Sequence, residues 1–173
     1  MHDANWSPDG RKVLFAESPG RGFTTRKRDL RIVDLETRQV SIVSGSDGMW
    51  SPRWSPRWSP DGRYIAAMRG TTADMSLFEF ATRQWRTLPC DGDVNFPSFS
   101  RDSRFLYFLR WGRVQGVFRV PVAGGKVERV VNMTDWHLTG FFGYSMSLDP
   151  TDAPLVLRDT GSDDIYALSL EEK

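Results

Sequence analysis

The sequence predicts an all-β fold in which one four-stranded antiparallel unit recurs four times. Three observations carry that expectation. Four segments open alike, WSPDGR at Trp6, WSPDGR at Trp58, FSRDSR at Phe99 and MSLDP at Met146, each placing an apolar residue, a serine, one further residue and an aspartate. Short apolar elements then follow each opening in matched register, and Pro, Gly, Asp and Ser bound the elements throughout.

The opening residue of each copy, Trp6, Trp58, Phe99 or Met146, is read as the apolar end of a first strand that anchors the unit in the core. The turn that follows suits type I geometry, because proline presets φ at its second position and aspartate can bond the local backbone; Asp9, Asp61, Asp102 and Asp149 take the aspartate place, with Gly10 and Gly62 after the first two. A second strand ends nine residues after each anchor, at Phe15, Ala67, Phe108 and Leu155. The third element, LRIVDL (30–35), MSLFEF (75–80), VFRVPV (117–122) and IYALSL (165–170), is apolar at its first, fourth and sixth positions in every copy. A fourth element appears three times, as QVSIV (39–43), QWRTL (84–88) and KVERV (126–130), entered by Thr-Arg-Gln at Thr37 and Thr82 and by Gly124-Gly125. The last copy lacks it.

Four short strands to a unit, in units of 41 to 52 residues, are the pattern of β-propeller blades. The expectation is a single domain over residues 1–173 with blades near 4–48, 49–94, 95–140 and 141–173. Because the last blade lacks an outer strand and only His2 to Asn5 precede Trp6, too little to complete it, an open four-blade arc is expected over a closed ring. His2 is read as lying in a frayed terminus. An arc whose end blades are uncovered predicts self-association through its open edges.

The run MWSPRWSPRWSPDGR (49–63) places Trp50, Trp54 and Trp58 four apart. Pro52, Pro56 and Pro60 exclude a helix. The connection from Val43 to Trp58 is 15 residues against 11 from Leu88 to Phe99, and the difference of four is one copy of Ser-Pro-Arg-Trp. Trp58 is therefore the anchor and the segment from Trp50 to Trp54 a duplicated approach to it; the other reading is an exposed aromatic contact surface at Trp50 and Trp54. The insertion SPGRGFTTRKRD (18–29) carries Arg21, Arg26, Lys27 and Arg28 on a hairpin tip, read as a solvated loop or, at Arg26, Lys27 and Arg28 above all, as a contact to an acidic partner or phosphate.

Composition sets bounds on function. With 39% hydrophobic and 26% charged residues the chain can bury a core, and a formal net charge of +1 offers no general field for nucleic acid. Cys90 is the lone cysteine, which excludes an internal disulfide, and no apolar run approaches a membrane span. The N-terminus has neither a basic nor an apolar leader-like region, so the chain reads as carrying no address, and its compartment is undetermined.

No catalytic, cofactor or metal site is expected. GYSMS (143–147) lacks the final glycine of a nucleophile elbow, and His137 with Asp135 has no nucleophile placed nearby. DGDVN from Asp91 has the alternating oxygens of a calcium loop, reaching Asp102 at position twelve, but Phe96 stands where glycine is needed and no glutamate closes the loop.

The repeats resemble the WD-repeat-like Pro-Asp β-propeller family, which includes the TolB-like propellers. WSPDGR at 6–11 and 58–63 carries the likeness, FSRDSR and MSLDP are degenerate copies, and the resemblance spans essentially the whole chain. The tail PLVLRDTGSDDIYALSLEEK is similar to the C-terminal propeller of bacterial winged-helix or Ser/Thr-kinase regulators. The resemblance implies a non-enzymatic module for binding a protein partner or for sensing, as a C-terminal piece of a larger regulator. The alternative it implies is the gating or sensor portion of a larger enzyme, such as a Ser/Thr kinase or a prolyl-oligopeptidase-like peptidase. A weaker third idea is a small-ligand binder using Trp50 and Trp54.

Overall fold

A computed structural model of the chain describes residues 2–16, 29–47, 49, 56–68, 75–90, 93–112, 114–136 and 145–158. The strands β1 (His2–Trp6), β2 (Lys12–Ala16), β3 (Leu30–Asp34) and β4 (Val40–Ile42) form the first sheet, in the order β1-β2-β3-β4. The second contains β5 (Arg57–Trp58), β6 (Tyr64–Met68), β7 (Met75–Glu79) and β8 (Gln84–Thr87), and the third β9 (Asp93–Phe99), β10 (Phe105–Trp111), β11 (Gly116–Pro121) and β12 (Glu128–Asn132). The fourth pairs β13 (Met146–Leu148) with β14 (Pro154–Val156); the element at 165–170 lies outside the described residues. All pairings are antiparallel between sequence neighbours, as short alternating strands joined by tight turns require. Among the described residues no helix is long and apolar enough to cross a membrane.

Each sheet has two faces because side chains alternate along a strand, and the blades stack face to face. The face of the second blade that meets the first carries Ile65, Ala67 and Phe78 with Trp58 and Trp85, packed on Leu14, Leu30 and Ile32. The other face carries Ala66, Met75 and Leu77 and meets Phe99, Leu106, Phe108, Phe118 and Val120 of the third blade. Tyr107, Leu109 and Val117 turn onward to Met146, Leu148 and Val156 of the fourth. Polar bonds cross the same junctions. The Asn5 carboxamide oxygen accepts the Trp58 N–H at 2.6 Å, and the Arg86 guanidinium donates to the Val122 carbonyl.

Trp6 departs from its expected role as a core anchor. It pairs with Val13 in β1 as Trp58 pairs with Ile65, yet it is 60% exposed. The anchor position faces the preceding blade, and none of the described residues covers the first blade on that side. The uncovered face makes the described fold an open arc. His2 pairs with Ala16, so β1 begins there and the terminus is not frayed at that residue.

Three further expectations shift in register. In the fourth copy Leu148, two residues beyond Met146, is the last paired residue before the turn. Asp149 accordingly occupies the serine place: its N–H donates to Ala153 and its carbonyl accepts from Asp152, as those of Ser7 engage Lys12 and Gly10. Met146 remains buried because a two-residue slip preserves which face a strand residue points to. Leu155, expected as the apolar end of the second strand, is 53% exposed on the opposite side from Val156.

In the third blade the pairing shifts between Val117 and Phe118, so Val131 pairs with Val117 while Val130 is 42% exposed. Of the calcium-like stretch, Asp93–Phe99 is strand β9, with Phe96 at φ +53° inside an irregularity opposite Phe108, and Asp91 and Gly92 lie outside the described residues.

Candidate functional site

The three Ser-x-Asp turns are built by one repeated hydrogen-bond set. Ser7 Oγ donates to Asp9 Oδ1 at 2.6 Å and accepts the Lys12 N–H at 2.9 Å, while Asp9 Oδ1 also accepts the Arg11 N–H at 3.0 Å. Ser59, Asp61, Arg63 and Tyr64 repeat the arrangement, as do Ser100, Asp102, Arg104 and Phe105. In each, the residue after the aspartate donates its N–H to the serine carbonyl at 2.9 Å. That residue has positive φ, +69° at Gly10 and +75° at Gly62, which glycine adopts without a Cβ penalty; Ser103 and Asp152 hold the same place at +58° and +66°.

The two non-glycine residues link neighbouring turns. Ser103 Oγ accepts the Asp61 N–H at 3.0 Å, and Asp152 Oδ1 accepts the Arg101 N–H at 2.9 Å. The turns thus line one face of the arc.

These bonds set the ionisation of the turn carboxylates. The Ser7 hydroxyl and the Arg11 N–H hold Asp9 below its ordinary value of 3.8, the Arg104 N–H and the Ser100 hydroxyl do so for Asp102, and the Thr151 hydroxyl leads for Asp149. A carboxylate whose folded value is depressed stabilises the fold at all pH above its unfolded value and loses that contribution as pH falls through the folded value. Stability is therefore expected to decline as pH falls below 3.8. The Asp9→Asn, Asp102→Asn double variant should be less stable at neutral pH and show a flatter decline in acid. Urea unfolding midpoints from about pH 6 to 2.5 measure this; parallel curves for the two proteins would refute it.

Between the first and second turns lies a groove of about 450 Å³. Ile32 and Ser41 line it from the first blade, Trp58 and Phe80 from the second, and the exposed Asp9, Lys12 and Asp61 stand at its mouth. Trp58 and Phe80 stack with ring centroids 5.2 Å apart and planes 13° from parallel. The indole N–H is already donated to the Gly62 carbonyl at 3.2 Å, so the groove offers ring surface and not that donor. Lys12 acts on both Asp9 and Asp34. The arrangement suits a mostly apolar group flanked by charge.

Of the residues singled out in the sequence, the structure brings Asp9, Trp58, Asp61 and Gly62 to this groove, with Gly10 in the adjoining turn. Phe99 lies 8% exposed at the next junction, Asp102 in the third turn, and Met146 and Asp149 in the fourth blade. Trp50, Trp54, Arg26, Lys27, Arg28 and His137 lie outside the described residues. Ile32, Ser41 and Phe80 were not anticipated. Phe80 had a signal, since it is the sixth position of the third element, but only the stacking geometry shows that it meets the anchor tryptophan.

No protein-family model and no curated protein matches the chain. Solved structures do. TolB from Acinetobacter baumannii is 21% identical with a TM-score of 0.63, over 86% of this chain and 35% of that one. Oligogalacturonate lyase from Vibrio parahaemolyticus is 16% identical with a TM-score of 0.65, over 95% of this chain and 47% of that one. The β-propeller domain of the Trilobed protease from Pyrococcus furiosus, described as having an open velcro topology, is 14% identical with a TM-score of 0.60, over 95% and 56%. The chain shares the β-propeller fold with these proteins and spans between about a third and a little over half of their lengths.

Proposed function

We propose that this chain is a non-catalytic β-propeller module that binds a protein partner, holding a short apolar segment of it in the groove between the first two blades. The observation that carries the reading is the Trp58–Phe80 stack lining an open groove of about 450 Å³ with charge of both signs at its mouth. Aromatic surface in a pocket surrounded by polar groups is the usual anchor for a partner's side chain. The turn networks hold both walls, so the groove is formed before the partner arrives.

Ser41 is exposed and lines the groove, so Ser41→Trp fills it without disturbing the core. In selections from a displayed peptide library, the wild-type chain should enrich a common apolar motif, and Ser41→Trp should weaken the selected peptide at least about tenfold, the scale of one lost anchor contact. Arg104→Ala, on the third turn, should leave binding unchanged. Enrichment of no motif, or equal affinity for Ser41→Trp, refutes the reading.

A second reading is the propeller portion of a larger enzyme. The match to a protease's propeller domain favours it, since this chain covers 95% of itself on a structure that is one domain of such an enzyme. A kinase, winged-helix or hydrolase domain joined to this segment in the natural protein would establish the larger context, and the groove would then act as its sensing surface.

A further inference from the structure

The groove between the first two blades has acceptors to offer and few donors. Asp9 commits Oδ1 to the Ser7 hydroxyl and the Arg11 N–H, and Asp61 commits Oδ1 to the Ser59 hydroxyl and the Arg63 N–H. Among the described residues no bond engages Oδ2 of either carboxylate, and both side chains are exposed on the groove. The donors, by contrast, are taken. Trp58 gives its indole N–H to the Gly62 carbonyl, the Ser7 hydroxyl goes to Asp9, and Ser41 Oγ lies 3.5 Å from the Ile32 carbonyl.

Lys12 is the cation of the described lining, and it stands opposite Asp34 across β2 and β3. Its charge acts on Asp34 as well as on Asp9. The first blade thus sets two carboxylates against this one ammonium, and Asp61 arrives from the second blade as a further negative charge. Both groove carboxylates are fixed before a ligand arrives. The Ser7 hydroxyl and the Arg11 N–H keep Asp9 ionised at neutral pH, and the Asp61 N–H is anchored on Ser103 Oγ at 3.0 Å.

We propose that the partner segment held in this groove carries an arginine beside its apolar residue, the methylene stem lying along the Trp58–Phe80 ring surface and the guanidinium meeting the Asp61 and Asp9 carboxylates at the mouth. The inference rests on the groove reading above and adds the chemistry of what is bound. Arginine has an apolar stem and a head with five N–H donors and no acceptor, so it supplies what the lining lacks and asks nothing of the committed indole N–H. Lysine is a compact, strongly hydrated charge that stacks less well on rings. An acidic segment would meet like charge at Asp9 and Asp61. A purely apolar one would strip water from two carboxylates and put nothing in its place. The chain makes the same combination within its third blade, where Arg119 lies over the Phe105 ring at 4.5 Å while its Nε donates to Glu128 Oε2 at 2.9 Å.

A displayed peptide library selected on the full chain should enrich motifs with arginine at one fixed position next to an apolar residue. A synthetic peptide of that motif is then compared with its citrulline form, which keeps the shape and loses the charge. Citrulline should weaken binding at least about tenfold, the scale of charge-assisted hydrogen bonds. Asp61→Asn should weaken the arginine peptide about threefold or more, the scale of an exposed ion pair, and leave the citrulline peptide as it was. Asp102→Asn makes the same change in the third turn, away from the groove, and should alter neither affinity; circular dichroism checks that both variants fold. An enriched motif with lysine or no basic residue overturns the inference, as does a citrulline peptide that binds equally well. If such a motif is still weakened by Ser41→Trp, the groove reading stands and the arginine falls. An arginine motif indifferent to both Ser41→Trp and Asp61→Asn places the contact elsewhere and removes both readings.

Discussion

Phe108→Ala is expected to destabilise the chain by about 3–5 kcal/mol, the range for removing a fully buried aromatic side chain and leaving a cavity. Phe108 is completely buried, pairs with Phe118 across the sheet, and stacks on it with ring centroids 5.9 Å apart and planes 14° from parallel. Arg110 covers the Phe118 ring with its guanidinium at 4.3 Å, so the cluster is closed by a cation as well as by apolar neighbours.

The position gives the loss its reach. Phe108 belongs to the core between the second and third blades, and stacked repeats are held together mainly by nearest-neighbour interfaces. Emptying this interface weakens the coupling between the two halves of the arc. Thermal unfolding followed by circular dichroism should fall by roughly 10 °C or more for a chain of this size, with a broader transition as the halves uncouple. Leu155→Ala, at an exposed site, serves as the reference for an ordinary apolar truncation. A loss under about 1 kcal/mol at Phe108 would falsify the tightly packed junction.

Gly116→Ala should be comparably damaging for a different reason. A Cβ at Gly116 would stand 2.2 Å from the Val131 carbonyl oxygen, far inside contact distance. The obstruction is backbone of the paired strand, next to the irregularity between Val117 and Phe118, so it cannot rotate away as a side chain would. Relief requires the end of β12 to separate from β11, which withdraws Val131 and the adjoining Met133 from the core with the fourth blade. The expected cost is at least about 2 kcal/mol, at the upper part of the range for overpacking. By contrast a Cβ at Gly10 meets nothing within 4 Å, and serine and aspartate already occupy its counterparts, so Gly10→Asn should cost little. Urea midpoints of the two variants make the comparison, and equal stabilities would contradict it.

Much of the architecture could be read from the chain because its elements repeat. Ser-x-Asp after an apolar residue specifies a local network that closes within six residues, so the first three turns form as the pattern suggests wherever they occur. The third-strand register at the first, fourth and sixth positions correctly separates the two faces in the first three blades, since Val33, Phe78 and Val120 lie in corresponding rows. The fourth copy was misaligned by two residues because its turn has one residue fewer between paired positions and because aspartate can stand in for the serine. Both Met146 and Leu148 are apolar, and period-two alternation makes a slip of two invisible to any pattern of inward and outward residues.

The groove was less legible. Asp9, Trp58 and Asp61 stood out as repeat positions, but Ile32 and Ser41 belong to a different sheet from Trp58 and Phe80 and reach the groove only because the first two blades stand side by side. The local sequence contains turn chemistry, strand period and apolar registers, and those sufficed for all-β blades of antiparallel strands arranged in an arc. Whether a given row is covered depends on what stands beside its blade. Trp6 and Trp58 share the same WSPDGR surroundings, and one is 60% exposed while the other stacks on Phe80 beneath a neighbouring sheet. Burial is a property of two surfaces meeting, and only the tertiary structure decides which surfaces meet.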